Sequence, residues 1–125
     1  MTHLLLVGAG GAIGSILRYL AGLWAVRRFG SGFPWGTLGV NVTGSFLIGV
    51  LAEVIMRKFG ASPEMRVFLI TGVLGGYTTF SAFSLDAIML AERGDIALAA
   101  TYVAASVVLS LLAVFSGLAL MRTIV

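Results

Sequence analysis

Gly75-Gly76-Tyr77-Thr78-Thr79-Phe80-Ser81-Ala82-Phe83-Ser84 interrupts an apolar segment, Val67 to Ala91, that otherwise reads as one membrane-crossing helix. Adjacent glycines weaken a helix, and Thr and Ser side chains offer the backbone competing bonds. Carbonyls and amides set loose at bilayer depth are tolerated only where protein or a polar cavity surrounds them. The stretch is therefore expected to break the helix and to aim its free polar groups at something that binds or moves. The rest of the chain reads as a wall around that break.

Composition supports a membrane setting. Of 125 residues, 59% are apolar and 10% charged, against roughly a quarter charged in a soluble domain. That excludes a soluble enzyme and makes the lipid bilayer the expected surroundings of a single transmembrane domain, residues 1–125. The 17 glycines recur inside apolar runs, where small residues let membrane helices approach closely. With no cysteine, disulfides and thiolate metal sites do not arise. The net charge of +3 comes from scattered basic residues, so no nucleic-acid partner is expected. No basic leader or A-x-A site marks a cleaved signal peptide.

About 20 apolar residues span a bilayer, and four such segments predict an all-α membrane protein with helices at about 4–26, 37–56, 67–91 and 96–121. In the first, Gly8, Gly11, Ala12, Ser15, Tyr19 and Gly22 share a face, and Gly10 and Gly14 add a G-x-x-x-G. That stripe reads as close packing or as a pore lining. Arg18 either snorkels to the interface or is held inside by backbone carbonyls. In the second, Thr37, Asn41, Gly44, Ser45 and Gly49 form a small or polar stripe. Asn41 needs partners for two donors and an acceptor, which a neighbouring helix could supply. Glu53 and Arg57, four residues apart, read as a solvated pair. In the third, Phe80 and Phe83 share a face with Asp86, which lies toward the headgroups. Ring spacing of this kind alone reads as packing. In the fourth, Tyr102, Ser106 and Ser110 make a hydroxyl ladder.

Charge gives little instruction about orientation. Four crossings put Arg57, Lys58, Arg66 and Arg122 on the side of the termini, and Arg27, Arg28 and Arg93 on the other, joined by Arg18 if it snorkels that way. The positive-inside rule orients a chain by an excess of Lys and Arg, and here the two sides nearly balance. Insertion in both orientations is expected, which allows an antiparallel homodimer with a two-fold axis in the membrane plane.

The sequence offers no catalytic triad, metal cluster or phosphate loop. Its remaining polar groups are hydroxyls, one amide, ring edges and broken-helix backbone. Hydroxyls and the Asn amide donate, a phenyl edge is positive, and free N–H groups at a helix start attract anions. Freed carbonyls instead suit a small cation. A proton-coupled multidrug antiporter of similar size would need an acid deep in a helix, and Glu53 and Asp86 lie near helix ends. A purely structural subunit leaves the polar break without a purpose.

At these residues the chain closely resembles the Fluc fluoride channels, or CrcB family. The resemblance is carried by Gly10-Gly11-Ala12-Ile13-Gly14 with Arg18-Tyr19, by Gly36-Thr37-Leu38 through Val40-Asn41 to Gly44-Ser45-Phe46, and above all by Gly75 to Ser84. Ala82 departs from it, since the family often has threonine there. The resemblance implies an antiparallel dual-topology homodimer in a bacterial inner membrane, exporting fluoride passively and electrogenically and so limiting its toxicity. It implies a structural sodium ion at the dimer interface, held by the carbonyls of Gly75 and Thr78 from each subunit. It also implies that Phe80 and Phe83 present ring edges to fluoride while Asn41 donates from the facing helix. Thr79, Ser81, Tyr102 and Ser110 are the implied hydroxyl donors along the route, and Arg18 shapes the vestibule.

Overall fold

The computed structural model describes residues 1–57, 60 and 62–124. Lys58, and Phe59 and Ala61 of the expected second connection, lie outside the described residues. Helix α1 spans Thr2–Phe29, α2 Trp35–Arg57, and α5 Ile96–Ile124. The third crossing is composite. Its first half, α3, comprises Pro63–Arg66, a wider π-helical stretch Val67–Leu74, and a last turn Gly75–Tyr77. Its second half is α4, Phe80–Glu92. Counting α3 and α4 as one span, four segments are long and apolar enough to cross a membrane. Each extends beyond its expected limits, most where charged or amphipathic ends carry the helix past the apolar window.

Local chemistry sets the ends. Arg27 and Arg28 occupy the last turn of α1, where cations favour the helix dipole. Gly30 ends it with φ 80°, and its N–H bonds the Val26 carbonyl at 2.8 Å. That left-handed conformation is open to glycine at little cost. Ser62 caps α3, its Oγ accepting from the Met65 N–H at 3.1 Å, with Pro63 at the first helical position. Proline is suited to that place because its missing N–H has no helical partner anyway.

Glycine decides how closely the helices meet. A Cβ on Gly10 would lie 2.5 Å from the Phe68 carbonyl oxygen, and one on Gly76 2.6 Å from that of Gly11. Helix α1 therefore lies backbone to backbone along α3. The extensive contact of α2 with α5 is made the same way, through Gly49 and Gly117. Such seams replace the hydrophobic driving force that helices lack in lipid. Only a small apolar core forms, around Leu38, Leu90, Ala99 and Tyr102. Large apolar side chains such as Leu5, Ile16, Leu111 and Phe115 face outward, as a lipid solvent requires.

The ion pair of Glu53 is not solvated as expected. Its side chain is about 7% exposed and lies between Arg57 on its own helix and Arg122 of α5, whose Nε is 3.1 Å from Oε2. The second arginine comes from 69 residues away, beyond the reach of helical spacing. Asp86, expected toward the headgroups, is half-buried and accepts a hydrogen bond from Tyr102.

Candidate functional site: a broken helix beside a polar groove

The break is two residues long. Thr78 (φ −88°, ψ 157°) and Thr79 (φ −154°, ψ 122°) are extended between α3 and α4. Gly75 and Gly76, expected to loosen the helix, are themselves helical, and Gly76 serves the close approach to α1. Thr78 keeps its ordinary helical bond, N–H to the Leu74 carbonyl at 3.0 Å, and adds its Oγ1 to the same oxygen at 2.9 Å. It is the Thr79 side chain that replaces a helical bond. Thr79 caps α4, its Oγ1 accepting from the Ala82 N–H at 3.1 Å. Cap formation of this kind satisfies one of the amides a helix start leaves free.

Asn41 of α2 holds the opened backbone from the side. Its Nδ2 donates to the Thr79 carbonyl at 2.9 Å, and its Oδ1 accepts from the Thr79 N–H at 2.7 Å. On the other flank, Arg18 Nε donates to the Gly76 carbonyl at 3.0 Å. The half-buried Arg18 is thus held by a backbone carbonyl, the partner one of its two readings named. A third brace joins Tyr77 to Thr43, hydroxyl to hydroxyl at 2.9 Å. Thr43 also bonds the Gly39 carbonyl at 2.7 Å. With its one proton spent there, Tyr77 is the donor.

Two amides at the break are diverted from their helical carbonyls. The Thr79 N–H, four residues after Gly75, goes to Asn41 instead of the Gly75 carbonyl. The Ala82 N–H, four residues after Thr78, goes to Thr79 Oγ1 instead of the Thr78 carbonyl. Both oxygens thus lose their ordinary helical donors. Among the described residues no group of three or more His, Asp or Glu side chains could hold a metal, so backbone oxygen is the cation chemistry available here.

A groove of about 450 Å³ runs beside the break between α2, α3, α4 and α5. It brings together Asn41, Gly75, Thr78, Thr79, Phe80, Phe83 and Ser110 of the expected residues, with Ser45 and Ser106 and an otherwise apolar wall. Ser106 is about 6% exposed, and its Oγ has no hydrogen-bond partner. The ladder spacing had marked Ser106, but only its unpartnered burial distinguishes it from an ordinary back-bonded serine. The Phe80 and Phe83 ring centroids are 5.5 Å apart. Phe83 packs on Tyr102, while Phe80 is 79% exposed.

Three expected residues stand outside the groove lining. Arg18 lies on the α1 side of α3, and Ser81 is exposed with its Oγ 3.3 Å from Thr79 Oγ1. Tyr102 is fully buried, and its hydroxyl donates to Asp86 Oδ2 at 3.3 Å. A second cavity, about 640 Å³, opens at the loop end of the helices, lined among others by Phe33, Thr37, Asp86 and Arg93.

The chain matches the family described as CrcB-like protein, Camphor Resistance (CrcB), over residues 5–118. It is 74% identical over 125 residues to a protein of Rhizobium meliloti named fluoride-specific ion channel FluC, covering 100% of both chains. A protein of the same name from Rhizobium etli is 63% identical over 125 residues, again with 100% of both covered. One from Agrobacterium fabrum is 60% identical over 124 residues, 99% of each. Its composite third crossing and these full-length likenesses agree: the chain belongs to the CrcB family and is a multi-pass membrane protein.

Proposed function

We propose that the chain is the subunit of a fluoride-selective channel, conducting passively across a bacterial inner membrane and performing no chemical transformation. The observation that carries this reading is the break itself. Two phenyl rings, a clamped amide, and the serines Ser106 and Ser110 line one groove, while two carbonyls lose their usual helical donors beside it. Fluoride holds its water tightly, so a path must offer donors close enough to replace hydration and weak enough to release the ion. Ring edges and neutral hydroxyls meet both demands, whereas a fixed lysine would hold the ion too firmly. The second proton of Asn41 Nδ2 remains for the ion once the first has gone to Thr79. Ser81 and Tyr102 extend the donor set, and Arg18 biases the approach with its positive charge.

The functional unit in this reading is a dual-topology antiparallel homodimer. Phe80 is mostly exposed in the single chain, and the groove lacks a wall on that side. A second copy, inverted in the membrane, supplies the wall. The near balance of Lys and Arg across the two sides allows both orientations. The two-fold axis then brings the Gly75 and Thr78 carbonyls of both subunits together. Oxygens converging in a low dielectric repel, and a monovalent cation between them removes the penalty of leaving them unsatisfied. Sodium fits that donor set as a structural ion, not as a transported one. Flux is electrogenic, driven by about 2.3 kcal/mol per charge per 100 mV of membrane potential.

The test is efflux from liposomes containing the purified chain, with fluoride and chloride compared under a set voltage. Fluoride flux with strong rejection of chloride supports the reading. Equal flux of both anions, or a reversal potential that follows the sodium gradient, overturns it.

A further inference from the structure

We propose that Glu53, Arg57 and Arg122 form a built site for the headgroup of an anionic phospholipid, at the end of the bundle where α2 and α5 finish. Arg57 is the last residue of α2, and Arg122 lies in the last turn of α5. Both guanidiniums converge on one carboxylate. Arg122 Nε donates to Glu53 Oε2 at 3.1 Å, while Oε1 faces Arg57 as an ion pair without hydrogen-bond alignment. The Glu53 side chain is about 7% exposed, whereas those of Arg57 and Arg122 are 59% and 53% exposed. A buried acid thus anchors two cations whose remaining N–H donors stay open to the surroundings.

Stapling α2 to α5 would need only one arginine, and the Gly49–Gly117 seam already joins these helices backbone to backbone. Two guanidiniums on one carboxylate instead leave a surplus positive charge. The other acid at this end among the described residues, Glu64, lies 3.6 Å from His3, between α3 and α1. Depth then selects the counter-ion. Helix ends that run past the apolar window enter the headgroup layer, where lipid phosphates are the abundant anions. Arginine pairs phosphate through two parallel N–H bonds, and a shared acid holds two such forks side by side. Apolar surface for acyl chains adjoins the charges: Met56, next to Arg57, and Ile124, two residues beyond Arg122, are both largely exposed. A free anion would use the charges alone, while a lipid uses both. Basic pockets between membrane helices hold lipid headgroups in this manner.

The experiment is native mass spectrometry of the purified full chain, titrated in detergent with phosphatidylglycerol or with phosphatidylcholine. The wild type should bind its first phosphatidylglycerol at least about fivefold tighter than phosphatidylcholine. Arg122→Gln and Arg57→Gln should each weaken that first site about tenfold. Arg122→Lys, which keeps the charge and loses the fork, should weaken it by a smaller factor. Joint Arg27→Gln and Arg28→Gln removes two charges from the far end of the bundle, and should leave the site within about twofold. If Arg122→Gln is not monodisperse, Arg57→Gln decides, because Arg122 still holds Glu53 there. Equal affinity of the wild type for the two lipids, or unchanged phosphatidylglycerol affinity in Arg57→Gln, reduces the triad to a staple and overturns the site. A matching loss in the Arg27 and Arg28 variant makes the preference one of net charge and overturns it too. Displacement of the lipid by inorganic phosphate would assign the arginines to a free anion and overturn the lipid as occupant.

Discussion

Removing the Asn41 amide should separate the integrity of the break from the passage of the ion. Asn41 makes two bonds to one residue, donating to the Thr79 carbonyl at 2.9 Å and accepting from its N–H at 2.7 Å. Asn41→Ala leaves both groups without that partner at membrane depth. Each unsatisfied group costs about 1–3 kcal/mol, so the break as built loses about 2–6 kcal/mol. The lower bound corresponds to roughly 30-fold in any equilibrium that depends on the clamp. Asn41→Asp is the informative contrast. Its ionised carboxylate still accepts from the Thr79 N–H but opposes the Thr79 carbonyl, oxygen to oxygen, and places a negative charge beside the ring pair. The assays are fluoride efflux from liposomes and amide hydrogen exchange across 78–82. Asn41→Ala should lose both flux and protection of the Thr79 amide. Asn41→Asp should lose flux while that amide stays protected. Wild-type flux and exchange in Asn41→Ala would refute the clamp.

Three further outcomes follow from the same geometry. Phe80→Ile and Phe83→Ile, which keep apolar volume and lose the ring edge, should each cut fluoride flux by more than about tenfold while size-exclusion still shows the wild-type assembly. Unchanged rates would make the rings packing residues. Gly76→Ala should destabilise the chain by about 1–3 kcal/mol in a detergent melt, because the new Cβ meets the Gly11 carbonyl. Gly75→Ala meets nothing closer than the Ile70 carbonyl at 3.6 Å and should be tolerated within a subunit, so a loss of assembly there reports on a partner copy. Two or three lysines added beside Gly60 should bias insertion to one orientation and lower flux until an oppositely biased copy is co-expressed. A wild-type chain whose termini report a single orientation would contradict the balanced charge count.

What the sequence made legible, and what it hid, divides by where a residue's partner lies. The apolar windows announced four crossings because hydropathy needs no partner. The break was visible because consecutive Thr and Ser inside such a window conflict with a helix locally. Its mechanism was not. Glycine spacing records that a small residue is wanted, and here Gly76 is wanted by Gly11 of another helix while the chain stays helical through it. The backbone opens at Thr78 and Thr79, and Asn41, 38 residues away from Thr79, receives it. Arg18 allowed two readings, and the carbonyl it bonds belongs to Gly76, 58 residues on. Spacing offered Glu53 only Arg57 and could not offer Arg122.

The same limit applies one level up. The Gly75 and Thr78 carbonyls lose their helical donors to Asn41 and Thr79, groups of their own chain. Burying such oxygens in lipid without a partner would cost several kcal/mol. Returning the Thr79 amide to the helix would satisfy Gly75 but leave the half-buried Asn41 with an idle carbonyl. The subunit's own hydrogen bonding thus takes the usual helical donors away from these two oxygens. Those oxygens lie beside Phe80, the ring left most exposed in the groove. In the proposed channel these are the groups that a second copy and a cation would complete, the one bringing a wall to the ring and the other positive charge to the carbonyls.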